Sequence, residues 1–316
     1  MKSRLAAVAV AILALLNVSS PAAAGCVFSG RPWDEPLVLV LSGGGAKGAY
    51  EAGVAALLAE QGVPVRLVAG SSAGALNAAM IADGRVERLE TLWRGLTRER
   101  VYSMRAPAFF AGLLPGWLTL LVLDHAESIF DPQPLRELVH AALDLSRIRA
   151  SKVRLLVVTA DLARREKRFF DNQTVTSDAL MAAAAVPGAF PAVNVDGTLL
   201  VDGGLTSRAP VLDALEADPA VGRALVVMSY APDEQGARPA TMRRAIEEAF
   251  EMGMIHQINR DVDLARLRHP TVDVQVLAPA SPLLQKPLDF EPNGIAQALG
   301  RGRVDAMACL RSWGKP

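Results

Sequence analysis

The sequence predicts an α/β fold in which parallel strands are joined by crossover helices. The first observation is Leu37-Val38-Leu39-Val40-Leu41, a short continuous apolar run after Pro36. Such a run, bounded by turn residues, reads as a strand buried on both faces. The second is the segment directly after it: a Ser42-Gly43-Gly44-Gly45 turn, then an Ala-, Leu- and Glu-rich helix over Ala46 to Gln61. The third is that the unit recurs. Val65 to Ala69 is a strand, Gly70 to Gly74 a turn, and Ala75 to Ala82 a helix. Strand, glycine turn and helix, twice over, implies parallel pairing, because parallel neighbours need a crossover.

The other elements come in chain order. Val86 to Leu96 has helical spacing, and Ala108 to Leu123 is strongly apolar but broken by Pro115-Gly116. Pro134 to Leu143 is a helix, Val153 to Thr159 a strand, and Lys167 to Phe170 its antiparallel companion. Ser177 to Ala185 is a helix ended by Pro187, and Leu199 to Val201 a short strand running into Asp202-Gly203-Gly204. Ala224 to Ser229 and Val272 to Leu277 are further strands. Thr241 to Leu267 forms a long helix between them, and Ile295 to Leu310 a last one.

The 316 residues hold 33 Lys+Arg against 33 Asp+Glu. Zero net charge argues against a general nucleic-acid binder, which needs a basic excess to neutralise phosphates. With 51% hydrophobic residues the chain can bury a large core. Lys2 and Arg4, the apolar run Leu5 to Leu16 and the small residues Ala22-Ala23-Ala24-Gly25 form a signal-peptide pattern over residues 1–25. The expectation is an exported protein with one mature domain, residues 26–316. Cys26 follows a lipobox-like Ala23-Ala24-Gly25, so it is either the lipidated N-terminus of an envelope lipoprotein or free to pair with Cys309, the other cysteine.

Three motifs carry chemistry. Gly70-Ser71-Ser72-Ala73-Gly74 matches G-x-S-x-G between a strand and a helix. So abrupt a reversal strains the central serine and exposes its Oγ, while Gly70 and Gly74 avoid collisions. Gly43-Gly44-Gly45-Ala46-Lys47-Gly48 matches G-x-G-x-x-G after the first strand. A dinucleotide site would want an acid at the end of the next strand, which here ends in Ala69-Gly70-Ser71. The other reading is an oxyanion hole of backbone N–H groups. Asp202-Gly203-Gly204 ends a third strand, from which an aspartate could reach Ser72.

In this order the three motifs resemble those of the patatin-like phospholipase family. Ala184-Ala185-Val186-Pro187-Gly188-Ala189-Phe190-Pro191 and Pro210 are similar to further family features. The resemblance covers about residues 37–215. It departs at Ala183, where many relatives have Ser; the residue is expected to touch no proposed catalytic group. The resemblance implies a three-layer sandwich with a mostly parallel central sheet flanked by helices. It also implies a carboxylic ester hydrolase of lipids that uses no cofactor and no metal. Ser72 would attack the acyl carbonyl and Asp202 would act as base. Residues Gly43 to Gly48 would form the oxyanion hole, with Gly203 and Gly204 completing the aspartate motif. An ordinary aspartate is a feeble base for a hydroxyl, so the site must compensate.

Two alternatives stay open. A Ser72–Asp202–His256 triad has the α/β-hydrolase order, though His256 falls within the long helix. A catalytically silent envelope protein that binds lipid or a partner would keep the fold without the chemistry. Residues 108–123 are either a lid or lipid-docking patch or a buried helix pair, and Arg164 to Arg168 form a basic hairpin tip that reads as a solvated turn.

Overall fold

The computed structural model describes Cys26, Phe28 and residues 34–106, 126–231 and 239–313. The 108–123 segment, the signal-peptide pattern and His125 lie outside the described residues. The chain runs β1 (Leu37–Leu41), a 3₁₀ turn (Gly45–Lys47), α1 (Gly48–Glu60), β2 (Val65–Gly70) and α2 (Ala73–Ala82). Next come α3 (Leu89–Arg94), α4 (Arg98–Val101), β3 (Ser103–Met104), β4 (Phe130–Asp131), α5 (Gln133–Ala142) and α6 (Leu145–Ala150). The chain continues with β5 (Arg154–Asp161), β6 (Glu166–Asp171), α7 (Ser177–Ala183), β7 (Val193–Val195), β8 (Thr198–Asp202) and α8 (Val211–Ala217). Last are β9 (Arg223–Val227), α9 (Met242–Arg268), β10 (Asp273–Leu277) and α10 (Pro292–Ser312).

The main sheet has the order β10-β9-β1-β2-β5-β8-β7, with β6 also paired to β5. The five strands from β10 to β5 are parallel. Alternation along β1 sends Leu37, Leu39 and Leu41 into one apolar layer with α1, α2 and α10. Val38 and Val40 go into the other, with α8 and α9. A strand whose successive side chains are all apolar therefore needs a helical layer on each face. The fold is mixed α/β, a central sheet flanked by helices.

Register fixes the site. Leu41 pairs with both Gly70 and Val227, and Gly70 with Val157. The carboxyl ends of β1, β2 and β9 are therefore level, and their loops emerge side by side.

Asp202 arrives by a different route from Ser72. β8 runs antiparallel to β5, with Asp202 opposite Thr159, two residues beyond the Val157 level. β5 overshoots β2, and β8 travels back along the overshoot. The hairpin β7–β8 that delivers it turns at Asp196-Gly197, both with positive φ. Cys26 and Cys309 are joined in a disulfide with Cα atoms 5.2 Å apart. Beside it the Phe28 and Trp313 rings meet edge to face at 4.6 Å.

Candidate active site

Ser72 has φ 53° and ψ −136°, a conformation that L-residues other than glycine rarely adopt. The strain is over-determined by its surroundings. The Ser72 N–H donates to the Ala183 carbonyl at 3.0 Å, and the Ser71 hydroxyl to the Arg208 carbonyl at 2.7 Å. The motifs give no hint of the link from Ala183 to Ser72. It corrects the expectation that Ala183 touches no proposed catalytic group: the contact runs through backbone, so it does not depend on which side chain stands at position 183. A Cβ on Gly74 would lie 2.4 Å from the Leu41 carbonyl, and one on Gly70 would lie 2.4 Å from the Gly74 carbonyl. Only glycines let the turn nest this tightly.

Most backbone donors of the Gly43–Gly48 loop are engaged within the fold. The Gly43 N–H donates to Glu51 Oε1 at 2.7 Å, and the Ala46 N–H to the Pro287 carbonyl at 2.8 Å. The Lys47 N–H donates to the Gly44 carbonyl at 3.2 Å, and the Gly48 N–H to the carbonyls of Gly45 and Ala46. Only Gly44 and Gly45 keep N–H groups without an acceptor among the described residues. This narrows the six-residue expectation to two, because the other four donors are spent holding the loop's shape. Ala73, at the first turn of α2, adds an N–H that is likewise without an acceptor there. Motif spacing does not single it out.

Asp202 is buried, and its Oδ1 accepts the Gly204 N–H at 2.8 Å. Gly203 leads this turn and packs against β5. Oδ2 is buried and without a hydrogen-bond partner among the described residues. The Ser72 hydroxyl stands beside the carboxyl and favours its ionised form, yet the two make no well-formed hydrogen bond in this state. Loose geometry of this kind is common in catalytic pairs before substrate tightens them. Burial raises the Asp202 pKa, against the pull of the Arg208 charge, the Gly204 N–H and Ser72. A carboxylate with a raised pKa is a stronger base than an ordinary aspartate.

Ser72, Ala73, Asp202, Gly44, Gly45, Lys47 and Gly204 all line one cavity of about 950 Å³. Its walls are mainly apolar, with Leu76, Met80, Leu92, Trp93 and Phe190 among them. Lys47 is buried, paired with Glu251 at 3.1 Å, and its Nζ lies 4.3 Å from the Tyr230 ring centre. His140, His256 and His269 are not part of the lining. His256 is exposed on α9, so the triad alternative has no histidine near Ser72 among the described residues.

Two further groups carry no motif in the sequence. Glu51, fully buried on α1, accepts from Gly43 N, the Ser42 hydroxyl at 3.1 Å and the Ser229 hydroxyl at 3.1 Å. Asn77 Nδ2 reaches its other oxygen at 3.4 Å, while Asn77 Oδ1 accepts from Trp93 Nε1 at 2.8 Å. Arg208, also buried, lines the cavity between the Gly44 and Gly204 loops. Among the described residues no set of three His, Cys, Asp or Glu is placed to hold a metal. At the basic hairpin tip Arg164 pairs with Asp161 and Lys167 with Asp213.

The fold and this glycine-framed serine define the class. The patatin-like phospholipase family model matches residues 39–215, and the chain belongs to that family. Its particular relatives are distant. A Mycobacterium tuberculosis protein described as an uncharacterized NTE family protein is 28% identical over 176 residues, 55% of this chain and 44% of its own. A patatin-like phospholipase domain-containing protein of Caenorhabditis elegans is 28% identical over 175 residues, 54% of this chain and 12% of its own. The chain thus spans less than half the length of these curated relatives. Among solved structures, VipD from Legionella pneumophila shares the fold, with a TM-score of 0.50 and 16% identity over 95% of this chain and 73% of that one.

Proposed function

We propose that this chain is a serine acyl hydrolase that cleaves carboxylic esters of lipids with a Ser72–Asp202 dyad. The observation that carries the reading is convergence. One strained serine, one buried carboxyl and three backbone N–H groups share a cavity that is mostly apolar, and among the described residues one carboxyl oxygen and all three N–H groups are without a partner. Ser72 Oγ attacks the acyl carbonyl while Asp202 Oδ2 takes its proton. The N–H groups of Gly44, Gly45 and Ala73 receive the oxyanion; one such donor typically lowers the barrier by about 2.7–4 kcal/mol. The proton passes to the departing alcohol, leaving an acyl-serine. Asp202 then takes a proton from the water that attacks the acyl group and passes it to Ser72 Oγ as the acyl bond breaks, which releases the carboxylic acid and restores the serine. The apolar walls suit an acyl chain. Leu205, Phe250 and Leu284 line the cavity yet are exposed, which gives its mouth an apolar lip suited to a lipid surface. Residues 108–123 are proposed as a second such contact.

The location proposed is outside the cytoplasm. The signal-peptide pattern supports it, and so does the Cys26–Cys309 pair. Lipidation and disulfide formation both use the Cys26 sulfur, so the paired state favours cleavage without lipidation.

A fluorophosphonate probe tests the chemistry. The wild-type protein should be labelled on Ser72, the Ser72→Ala variant should not, and a chromogenic ester should be hydrolysed by the first alone. Labelling that survives Ser72→Ala would remove the serine from the mechanism.

A further inference from the structure

Arg208 poses a problem that the proposed reaction leaves unsolved. Its side chain is 4% exposed and lines the catalytic cavity. It makes no ion pair within 4.0 Å among the described residues, and its Nε is buried without a hydrogen-bond partner. The groups around it do not neutralise it at contact. The Tyr230 hydroxyl stands beside it, but it is neutral, its pKa pushed up to about 12 by burial. Asp202 and Glu51 feel the charge from beyond ion-pair distance. Lys47, the other buried cation here, has Glu251. A buried charge without a contact partner is costly, and an arriving anion offsets that cost.

The position of the guanidinium says what kind of anion. A Cβ on Gly44 would lie 3.5 Å from Arg208 Nη2, and a Cβ on Gly204 would lie 2.7 Å from Nη1. The fork therefore stands between the loop with the open N–H groups and the loop of Asp202. An anion seated there lies in the cavity that Ser72 lines, together with the apolar side chains of Leu76, Met80 and Trp93.

We propose that Arg208 forms an anion subsite within the catalytic cavity that takes the carboxylate of an apolar-chain acid, so that the acid product is retained and inhibits the enzyme. This rests on the hydrolase reading. The substrate ester is neutral at its carbonyl, and hydrolysis creates a carboxylate in the cavity that the Arg208 guanidinium lines. Two oxygens facing a planar fork suit bidentate binding, which lysine reproduces only in charge.

The test uses the full chain and four probes: decanoate, decyl phosphate, decanol and inorganic phosphate. Inhibition of ester hydrolysis and protection of Ser72 from fluorophosphonate are both measured. Decanoate should inhibit competitively and raise the melting temperature of the wild-type protein. Arg208→Gln should weaken decanoate by about tenfold or more, and Arg208→Lys by less. Decanol should bind both variants as it binds the wild type. The proposal is overturned if Arg208→Gln leaves decanoate binding intact, or weakens decanol equally. Loss of decyl phosphate or inorganic phosphate alone would assign the subsite to phosphate and overturn the carboxylate. A folding defect is separated by Arg208→Lys, which keeps the charge, and by decanol binding. If the wild-type protein neither labels nor hydrolyses, the hydrolase reading fails, while the decanoate-induced thermal shift still judges the subsite.

Discussion

Replacing Glu51 by Gln should abolish a loss of stability that the wild-type protein suffers as pH rises through neutrality. Glu51 is fully buried beneath the Gly43–Gly48 loop. Burial raises its pKa from 4.5 to about 7, against the opposing pull of the Gly43 N–H, the Ser42 and Ser229 hydroxyls and the Arg208 charge. The folded chain therefore holds a proton that the unfolded chain has already released between those two values. The stabilisation is fully present below pH 4.5 and is lost as pH rises through about 7. The shift corresponds to about 3 kcal/mol. Gln keeps an oxygen for Gly43 N and the two hydroxyls and does not titrate. Its amide nitrogen, however, faces Asn77 Nδ2, which lies 3.4 Å from the oxygen replaced. That mismatch costs about 1 kcal/mol, so the variant should be more stable than wild type by about 2 kcal/mol at about pH 8. Urea denaturation midpoints from about pH 5 to about pH 8 for both proteins measure it. Asp202 and Asp261, also raised by burial, slope the curve the same way in both, so the difference isolates Glu51. Parallel curves would refute the reasoning, because they would mean that Glu51 does not change its charge in this window.

Asp202→Asn should lower ester hydrolysis by about 10²–10⁴-fold while leaving the near-ultraviolet circular dichroism unchanged; rates equal to wild type would remove Asp202 as base. Gly74→Ala forces a Cβ to 2.4 Å from the Leu41 carbonyl and 2.8 Å from Gly43 N, so its thermal midpoint should fall by more than that of an exposed control such as Gly253→Ala, which meets nothing within 4 Å. Equal midpoints would show that the turn relaxes freely. Reducing the Cys26–Cys309 bond, which spans 283 residues, should destabilise the protein by about 2–4 kcal/mol. Cys309→Ser should reproduce that loss and make the protein indifferent to reductant.

What the sequence made legible was local. The Leu37–Leu41 run could only be a strand covered on both faces, and its alternation fills the two layers. The Ser72 elbow was legible because its glycines answer to neighbours close in the chain or on the adjacent strand. The direction of β8 was not, since apolar alternation reads the same both ways and no glycine turn and crossover helix marks its pairing with β5. Asp202 comes back along the overshoot of β5, and what decides this is the hairpin at Asp196-Gly197, whose short first strand has only three residues. Glu51 did leave a trace. It is the lone charge in the helix between Gly48 and Ala59, among Ala, Gly, Val, Tyr and Leu, and a charge so placed demands partners. Arg208 left none. Ser207-Arg208-Ala209-Pro210 carries no motif, and Arg208 is buried where the Gly204 turn meets the Gly44 loop, which is far away in the sequence. The two groups that tune the site are thus set by tertiary contacts. The glycines that frame it are set by backbone clearance, which is why motif spacing revealed the frame and left its electrostatics to the structure.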